Sequence, residues 1–392
     1  MLKMQFAQRL NPLRRNVFAD MDSAKAKAKA AGKEIIDLSL GSSDLPAGNH
    51  VLDAIKDSLY DANTHGYTLF HSTQEFRKAV ASWYENKYGV AVDPETEVLP
   101  LIGCQEGTAH LPLALLDPGD LALLQDPSYP SHSGGIHLAG GEIYWLPTLA
   151  ENQFLPVFSE IPQEVREKAK LMVLSYPHNP TTALAPLSFF EEAVQFCKEN
   201  AIALIHDFPY GDMVFSGSPP APSVLQADRD KEISIEFFTF SKSYNMGGFR
   251  IAFAVGNEEL ILGLRQVKAV IDFNQYKGIL NGAIAALTGP QESIQKTVNT
   301  FEQRRDVFVN ALNRIGWEVP TPAATMYLWA KLPESWQGNS MEFCTQLVEA
   351  TGVALAPGSG FGNAGEGYVR MALVRDTSKL EEAAEKIAEF LD

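Results

Sequence analysis

The sequence predicts an α/β fold in which helices cover both faces of a mostly parallel sheet, with a smaller α+β domain beside it. Short strands that are apolar along their whole length alternate with amphipathic helices from residue 34 to about residue 289. Such strands are typical of a sheet that is buried on both faces. From about Pro290 the pattern changes to a long charged helix, short strands and a closing helix. We therefore expect a large domain at residues 46–289 and a small domain formed by residues 1–45 and 290–392.

Local signals place the elements in chain order. A lysine- and alanine-rich helix at 20–31 ends at Gly32, because glycine readily closes a helix, and a short strand at 34–39 follows. Hydrophobic runs then predict the strands of the sheet at 121–124, 171–174, 201–205, 233–240 and 250–256. Amphipathic patterns predict helices at 108–116, 187–199 and 377–391.

Composition and charge narrow the class of protein. The 392 residues exceed a single ordinary core, and a hydrophobic content of 45% is enough to fill two domains. The formal net charge of −16 argues against nucleic acid or an anionic membrane as a partner, because either needs a basic surface. Anionic substrates would therefore depend on locally placed arginines.

The cysteines and histidines favour a reduced compartment and no dedicated metal site. Cys104, Cys197 and Cys344 are odd in number and contain no CxxC pair, so we expect no disulfide framework. The eight histidines form no HxxxH or HExxH pattern. Residues 1–15 are basic but poor in serine, which argues against a transit peptide, and we expect a cytoplasmic location.

Polar residues follow three of the predicted strands. Asn179, Asp207 and Lys242 each come shortly after one of them. The carboxyl ends of parallel strands meet at one edge of the sheet, where α/β proteins bind their ligands. The sequence therefore predicts a functional site at that edge.

The strongest local signal is the stretch at 239–250, Thr-Phe-Ser-Lys-Ser-Tyr-Asn-Met-Gly-Gly-Phe-Arg. An amine such as that of Lys242, near an apolar wall and a second cation, loses its proton more easily, and only a neutral amine attacks a carbonyl to form a Schiff base. The hydroxyls of Thr239 and Ser241 and the guanidinium of Arg250 offer ligands for a phosphate on the same molecule. The alternative is an ordinary solvated lysine, but apolar strands on both sides favour the functional interpretation.

This stretch resembles the lysine signature of the class I and II aminotransferases, which are enzymes of fold type I that use pyridoxal 5'-phosphate (PLP). The resemblance runs from Asn-Pro-Leu at 11–13 to Arg370. It implies a PLP-binding large domain and a homodimer with shared active sites. It also implies that Lys242 is the catalytic lysine that binds the aldehyde of PLP.

Further cofactor contacts come from residues near two strand ends. Asp207 and Tyr210 resemble the catalytic aspartate that pairs with the pyridine nitrogen and the tyrosine that hydrogen-bonds the phenolic oxygen; the alternative for Asp207 is a helix N-cap. Asn179 lies in a loop similar to the family's Asn-Pro-Thr-Gly loop, which implies contacts with the phenolic oxygen and the substrate. Thr182 replaces the glycine of that loop, and because β-branched residues resist positive φ, we expect the turn to differ locally.

The phosphate and the ring of PLP have candidate partners before the middle of the chain. Gly103, Cys104 and Gln105 precede a predicted helix whose backbone N–H groups could cradle a phosphate. By resemblance, Tyr129 matches the aromatic residue that stacks on the ring, and His132 matches the histidine that supports the aspartate; the alternative for His132 is a surface loop histidine.

Two further regions of the sequence concern ligands beyond the cofactor: one concerns the substrate and the other concerns a second subunit. Arg370 lies inside an apolar strand, where an arginine needs a partner, and it resembles the family arginine that binds the α-carboxylate of the substrate through two parallel hydrogen bonds. Gly41 resembles the glycine whose backbone approaches that carboxylate, with Ser43 in place of the usual proline. Tyr67 resembles the tyrosine that reaches the phosphate in the neighbouring subunit, and residues 274–277 lie where the family makes further contacts between subunits.

The implied activity is transamination by a ping-pong Schiff-base mechanism between an amino acid and a 2-oxo acid. The segments at 9–13 and 34–38 look closest to the LL-diaminopimelate aminotransferase-like branch, which suggests LL-diaminopimelate and 2-oxoglutarate as substrates. A PLP-dependent C–S β-lyase would share every cofactor residue. A PLP-sensing regulatory module is a further alternative, although the acidic charge and the absence of an appended helix-turn-helix pattern argue against it.

Overall fold

The structure is a computed structural model that describes residues 4–14 and 17–391. Its strands are β1 Ile36–Asp37, β2 Val98–Leu101, β3 Leu121–Asp126, β4 Glu142–Pro147, β5 Ala169–Ser175, β6 Ala203–Asp207, β7 Ser234–Thr239, β8 Ala252–Gly256, β9 Tyr327–Lys331, β10 Val353–Ala354, β11 Ala356–Pro357 and β12 Tyr368–Ala372. Its α-helices are α1 Val17–Ala30, α2 Asn49–Tyr60, α3 Gln74–Tyr88, α4 Cys104–Leu115, α5 Pro130–Ala139, α6 Gln163–Arg166, α7 Leu187–Asn200, α8 Val224–Ala227, α9 Glu258–Ile271, α10 Lys277–Thr288, α11 Glu292–Arg314, α12 Ser340–Thr351 and α13 Thr377–Leu391.

A seven-stranded sheet, called the large sheet here, forms the centre of the fold. Its strand order is β2-β8-β7-β6-β5-β3-β4, and β8 runs antiparallel to both of its neighbours while the other pairs are parallel. Helices α4, α5 and α9 pack on one face, and α3, α7 and α10 pack on the other. The predicted α/β class with a mostly parallel sheet is therefore confirmed.

A second, smaller group of strands is built from the two ends of the chain. Strands β11, β12 and β9 form an antiparallel sheet, called the small sheet here, in the order β11-β12-β9. Strand β1 pairs in parallel with β10, so the N-terminal segment joins the C-terminal part. Helices α1, α11, α12 and α13 bury their apolar sides in one common cluster with these strands.

Several predicted boundaries need correction. The strand expected at 34–39 covers only β1, because the Asp37 carboxylate accepts hydrogen bonds from the backbone N–H and hydroxyl of Ser39 and turns the chain. The helix expected at 108–116 begins four residues earlier, at Cys104. The strand expected at 201–205 is β6, because Ala201 closes α7 in the left-handed region at φ 52°. The closing helix at 377–391 has the predicted bounds.

The cysteines, the basic N-terminal stretch and the helices concern the compartment and targeting of the protein. The three cysteines are buried and free. Of the basic stretch at 1–15, residues 1–3 and 15 lie outside the described residues. None of the described helices is both long and apolar enough to cross a membrane.

Candidate active site

A cavity of about 530 Å³ lies at the carboxyl ends of β5, β6 and β7. It contains all three residues that the sequence places after strands, Asn179, Asp207 and Lys242. Residues 39–42 and two side chains of the small sheet, Tyr327 and Arg370, line its other side. The cavity therefore lies between the large sheet and the small sheet.

Lys242 lies in the turn that follows β7. The turn is held by Thr239, whose hydroxyl oxygen accepts the backbone N–H of Ser241 at 3.1 Å, and by Asn245, whose N–H donates to the Lys242 carbonyl at 3.1 Å. The Lys242 amine donates to the carbonyl of Gly41 at 2.6 Å and lies 5.5 Å from the centre of the Tyr210 ring. The turn thus directs the amine into the cavity.

Asp207 is the last residue of β6, and only one of its two carboxylate oxygens has a hydrogen-bond partner. Oδ2 lies 2.9 Å from His132 Nε2, and both residues are buried. Oδ1 is also buried and has no hydrogen-bond partner among the described residues. A buried acceptor without a donor is costly, so this atom fits the protonated ring nitrogen of PLP. The chain after Asp207 forms turns and no helix, which excludes the helix N-cap interpretation.

A second group of cavity residues fits a phosphate. Cys104 and Gln105 form the first turn of α4, where backbone N–H groups are free of helical partners. A Cβ atom added to Gly103, which has φ 80°, would lie 2.4 Å from Nη2 of Arg250, so only glycine lets this guanidinium approach the helix terminus. The hydroxyls of Thr239 and Ser241, 2.9 Å apart, line the same part of the cavity.

Cys104 itself is not an activated thiol. Burial, and then the nearby negative charge of Asp207, raise the pKa of the Cys104 thiol well above its usual range. A cysteine nucleophile needs a lowered pKa to form its thiolate. Cys104 therefore contributes its backbone and volume to the cavity.

Arg370, on β12, is buried, and one of its three guanidinium nitrogens lacks a hydrogen-bond partner among the described residues. Nη1 donates to Asn179 Oδ1 and Nη2 donates to the carbonyl of Ser39, each at 2.8 Å. Nε is buried without a partner in the described part of the chain. The guanidinium lies 4.3 Å from the centre of the Tyr327 ring and 4.7 Å from that of Phe361. This arrangement fits an anionic group of a substrate.

Tyr210 and Tyr327 meet at the centre of the cavity wall. Their hydroxyl oxygens are 2.9 Å apart, and both side chains are buried. A Cβ atom on Gly41 would overlap the Tyr327 hydroxyl at 1.8 Å, so glycine is required here by close packing. Burial raises the pKa of Tyr210, while for Tyr327 the positive charges of Lys242 and Arg370 outweigh burial and lower the pKa.

The remaining predicted residues divide into those inside and outside the cavity. Tyr129 lines it, and its ring contacts His132 edge to face with centres 6.0 Å apart. Tyr67 is 91% exposed and is not among the lining residues. Asn274 donates to the Thr68 carbonyl at 3.0 Å, and Gln275 donates to the Leu101 carbonyl at 3.1 Å. These two amides hold the segment next to Tyr67 and the strand that leads into α4.

Two departures from the family pattern have structural outcomes. Thr182 takes a positive φ of 64° and its N–H donates to the His178 carbonyl at 2.8 Å. Thr182 therefore adopts the positive φ that β-branched residues resist, and the expectation that this turn differs from the family's stays a prediction. Ser43 donates to Asn245 Oδ1 at 2.7 Å and so ties the loop at 39–44 to the turn that carries Lys242.

Tyr327 and Ser39 are site residues that the sequence does not reveal. Tyr327 begins an apolar strand and resembles any core aromatic residue. Ser39 contributes only a backbone carbonyl, which any residue type has. A signal for Tyr327 is that its strand pairs with the strand of Arg370, but that pairing is visible only in the structure.

Comparisons with known proteins agree with this geometry. The model of the family "Aminotransferase class I and II" matches residues 33–387. The LL-diaminopimelate aminotransferase of Dehalococcoides mccartyi is 42% identical over 387 residues, covering 99% of each chain. The enzyme of the same name from Halothermothrix orenii is 40% identical over 384 residues, covering 98% of each chain.

Solved structures show the same similarity. A probable N-succinyldiaminopimelate aminotransferase from Thermus thermophilus superimposes with a TM-score of 0.90 at 44% identity, over 95% of this chain and 99% of the other. Substrate-bound BacF from Bacillus subtilis superimposes with a TM-score of 0.94 at 34% identity, over 99% of this chain and 98% of the other.

Proposed function

The chain belongs to the class I and II aminotransferase family, and from that premise we propose that it transfers an amino group from LL-diaminopimelate to 2-oxoglutarate. Membership makes it a PLP-dependent aminotransferase with small-molecule substrates. The choice of LL-diaminopimelate rests on the full-length identity of 40–42% to two curated relatives of that name.

The cofactor roles in this proposal follow from the unpartnered oxygen of Asp207 and from the group of residues that fits a phosphate. Bound PLP supplies an aldehyde that accepts amines and a protonated ring that takes up the electron pair released when the α-proton leaves. Asp207 Oδ1 accepts the ring N–H, with His132 holding Oδ2. Arg250 and the first turn of α4 hold the phosphate, together with the hydroxyls of Thr239 and Ser241.

The substrate and proton roles are assigned to residues on the other side of the cavity. Arg370 binds the α-carboxylate, with Gly41 beside it, and so fixes the direction of the Cα–H bond. The Lys242 amine would take the α-proton of the substrate as a general base and hold it during the transfer. Tyr210 and Asn179 present polar hydrogens toward the phenolic oxygen of PLP, and Tyr129 covers the ring.

We further propose a cytoplasmic homodimer with shared active sites. The exposed Tyr67 supports it, because a tyrosine side chain that is 91% exposed in one copy is available to complete the phosphate site of a second copy. The three free, buried cysteines are consistent with a reduced compartment. The pairing of β1 with β10 supports a small domain of residues 1–45 and 290–392 and a large PLP-binding domain of residues 46–289.

A half-reaction screen tests the proposed activity. PLP-loaded protein is mixed with single amino acids, including LL-diaminopimelate, N-succinyl-LL-diaminopimelate, aspartate and phenylalanine, while the absorbance of the cofactor is followed. Complete conversion to the amino form of the cofactor with LL-diaminopimelate, reversed by 2-oxoglutarate, is the expected result. Conversion only by another amino acid would contradict the substrate, and release of pyruvate and ammonia from a cysteine thioether without conversion would indicate the β-lyase.

A further inference from the structure

Tyr327 lies beside four residues of the active site. The Tyr210 hydroxyl lies 2.9 Å from its hydroxyl, and the positive charge of the Lys242 amine is close enough to lower the pKa of its phenol. The same hydroxyl packs on Gly41, whose carbonyl accepts the Lys242 amine at 2.6 Å. The Arg370 guanidinium lies over its ring at 4.3 Å.

We propose that Tyr327 positions the Lys242 amine while that amine carries the transferred proton. The inference rests on the proposed role of Lys242 as the base. Taking the α-proton converts the neutral amine into an ammonium group, which has three donors and needs acceptors. The Gly41 carbonyl provides one acceptor, and the Tyr327 hydroxyl oxygen provides a second on the side toward the small sheet.

The hydroxyls of Tyr327 and Tyr210 fix which group donates and which accepts in the proposed hydrogen bonds. Because an ammonium can only donate, the Tyr327 oxygen accepts from Lys242 and donates its own hydrogen to the Tyr210 oxygen, 2.9 Å away. The hydrogen of Tyr210 then stays free to point into the cavity. Such a chain of hydrogen bonds orients each member through the next one.

Two positive charges face the Tyr327 phenol. Burial raises the pKa of this phenol, but the charges of Lys242 and Arg370 and the hydrogen bond with Tyr210 together outweigh burial and lower it. A phenol in this setting is a much weaker base than an amine, so it accepts a hydrogen bond from the ammonium without taking its proton. The transferred proton therefore remains on the lysine nitrogen.

The test is the variant Tyr327→Phe, which keeps the ring under Arg370 and removes only the hydroxyl. The first measurement is the rate at which the apoprotein captures PLP as a function of pH, because only the neutral amine reacts. Without the acceptor the ammonium form is less stable, so the midpoint of this rate shifts to lower pH by about half a unit to one unit. A merely structural role of the hydroxyl would leave this midpoint in place.

The second measurement is the single-turnover half-reaction with an α-protiated and an α-deuterated amino acid at saturation. We expect the rate to fall about 10- to 100-fold with a larger isotope effect, while the half-saturating concentration changes less than about twofold. An unchanged pH midpoint together with an unchanged rate would overturn the proposal. Loss of amino acid affinity at an unchanged rate would overturn it as well, since the hydroxyl would then serve binding.

Two control variants separate the possible causes. Tyr84→Phe also removes a fully buried phenolic hydroxyl, which bonds Ser223 and Glu236 away from the cavity, and should lower stability without moving the pH midpoint. Lys242→Ala tests the premise, because a half-reaction that survives in this variant would refute the role of the lysine itself.

Discussion

Two of the nine buried side-chain atoms that lack a hydrogen-bond partner within the described residues, Asp207 Oδ1 and Arg370 Nε, belong to residues that line one cavity. Native proteins rarely leave such atoms unsatisfied, and at a cavity the missing partner can arrive with a ligand. One atom is an acceptor and the other a donor, which matches a protonated ring nitrogen and a carboxylate. Both atoms belong to residues that the sequence had already placed after or within apolar strands.

Replacing Arg370 with lysine tests the geometric part of this argument. An ammonium cannot reach Asn179, Ser39 and a carboxylate in the planar arrangement that the guanidinium provides. We expect Arg370→Lys to lower kcat/KM for the amino acid about 100-fold, with little change in PLP affinity. Steady-state kinetics and a PLP titration measure the two effects. Arg314→Lys, at an exposed ion pair, should behave as the parent protein, and an equal effect of both variants would contradict the assignment.

Thr182 offers a prediction about strain at one residue. A β-branched side chain at φ 64° costs about 1–2 kcal/mol relative to glycine, which takes this conformation freely. The larger conformational freedom of glycine in the unfolded chain offsets part of this gain. We therefore expect Thr182→Gly to raise the free energy of unfolding by up to about 1 kcal/mol in denaturant titrations.

The neighbouring threonine is the matched control for this change. Thr181 lies outside the positive-φ set, and its hydroxyl is 2.7 Å from His178 Nδ1. Thr181→Gly should therefore destabilise the protein. Destabilisation by both glycine variants would show that Thr182 is not strained in solution.

Site residues that follow an apolar strand, or that place a charge inside one as Arg370 does, were predictable from the sequence, whereas Tyr327 was not. Lys242, Asp207 and Asn179 follow strands of one sheet, so the rule for parallel sheets brings them together. Tyr327 reaches the same cavity from the small sheet, and its contact with Gly41 depends on packing that no local pattern encodes.

At the scale of elements, buried strands were easy to predict and exposed ones were not. Strands β5, β6 and β7 are almost entirely buried and read as continuous apolar runs. Strand β4 was missed because it lies at the edge of the large sheet and most of its residues are at least partly exposed. Its sequence, Glu-Ile-Tyr-Trp-Leu-Pro, therefore lacks the signal of a central strand.

The start of β7, the strand that carries Lys242, is fixed by one buried carboxylate. Asp228 accepts the backbone N–H groups of Ile233 and Ser234 and the Ser234 hydroxyl, at 2.7–3.1 Å, and pairs with Lys198. Burial raises its pKa, but these donors outweigh burial, so the pKa in the folded protein lies below 3.8. Its stabilising contribution is therefore present above the unfolded pKa and is lost as the pH falls through the folded pKa.

The variant Asp228→Asn tests that linkage. We expect a loss of about 2 kcal/mol in the free energy of unfolding at neutral pH, because hydrogen bonds to a charged acceptor are the strong ones. The difference from the parent protein should stay constant near neutrality and shrink below about pH 4. Asp230→Asn, at an exposed position two residues away, should show neither effect. A difference that does not depend on pH would refute the charged contribution.

At the scale of the whole molecule, the N-terminal loop joins the two sheets across the cavity. Asp44 forms two hydrogen bonds of 2.7 Å with Arg304 of α11, which also donates to the Leu373 carbonyl beyond β12. Ser43 bonds Asn245 beside the lysine turn. The loop that carries Gly41 is thus anchored on both sides, which explains how residues so far apart in sequence keep one geometry.

The exposed Tyr67 allows a test of whether two copies of the chain share their active sites. Its side chain is 91% exposed and lies outside the active-site cavity, yet Asn274 donates to the carbonyl of the adjacent Thr68 and so holds the segment in place. If a second copy provides that cavity, Tyr67→Phe removes one hydrogen bond to a phosphate and should weaken PLP binding about tenfold. Tyr60→Phe, which changes another exposed tyrosine of the same region, should leave PLP binding unchanged. Equilibrium ultracentrifugation should show a dimer for all three proteins, because the change is too small to separate subunits; a monomer that binds PLP with unchanged affinity in Tyr67→Phe would refute the shared site.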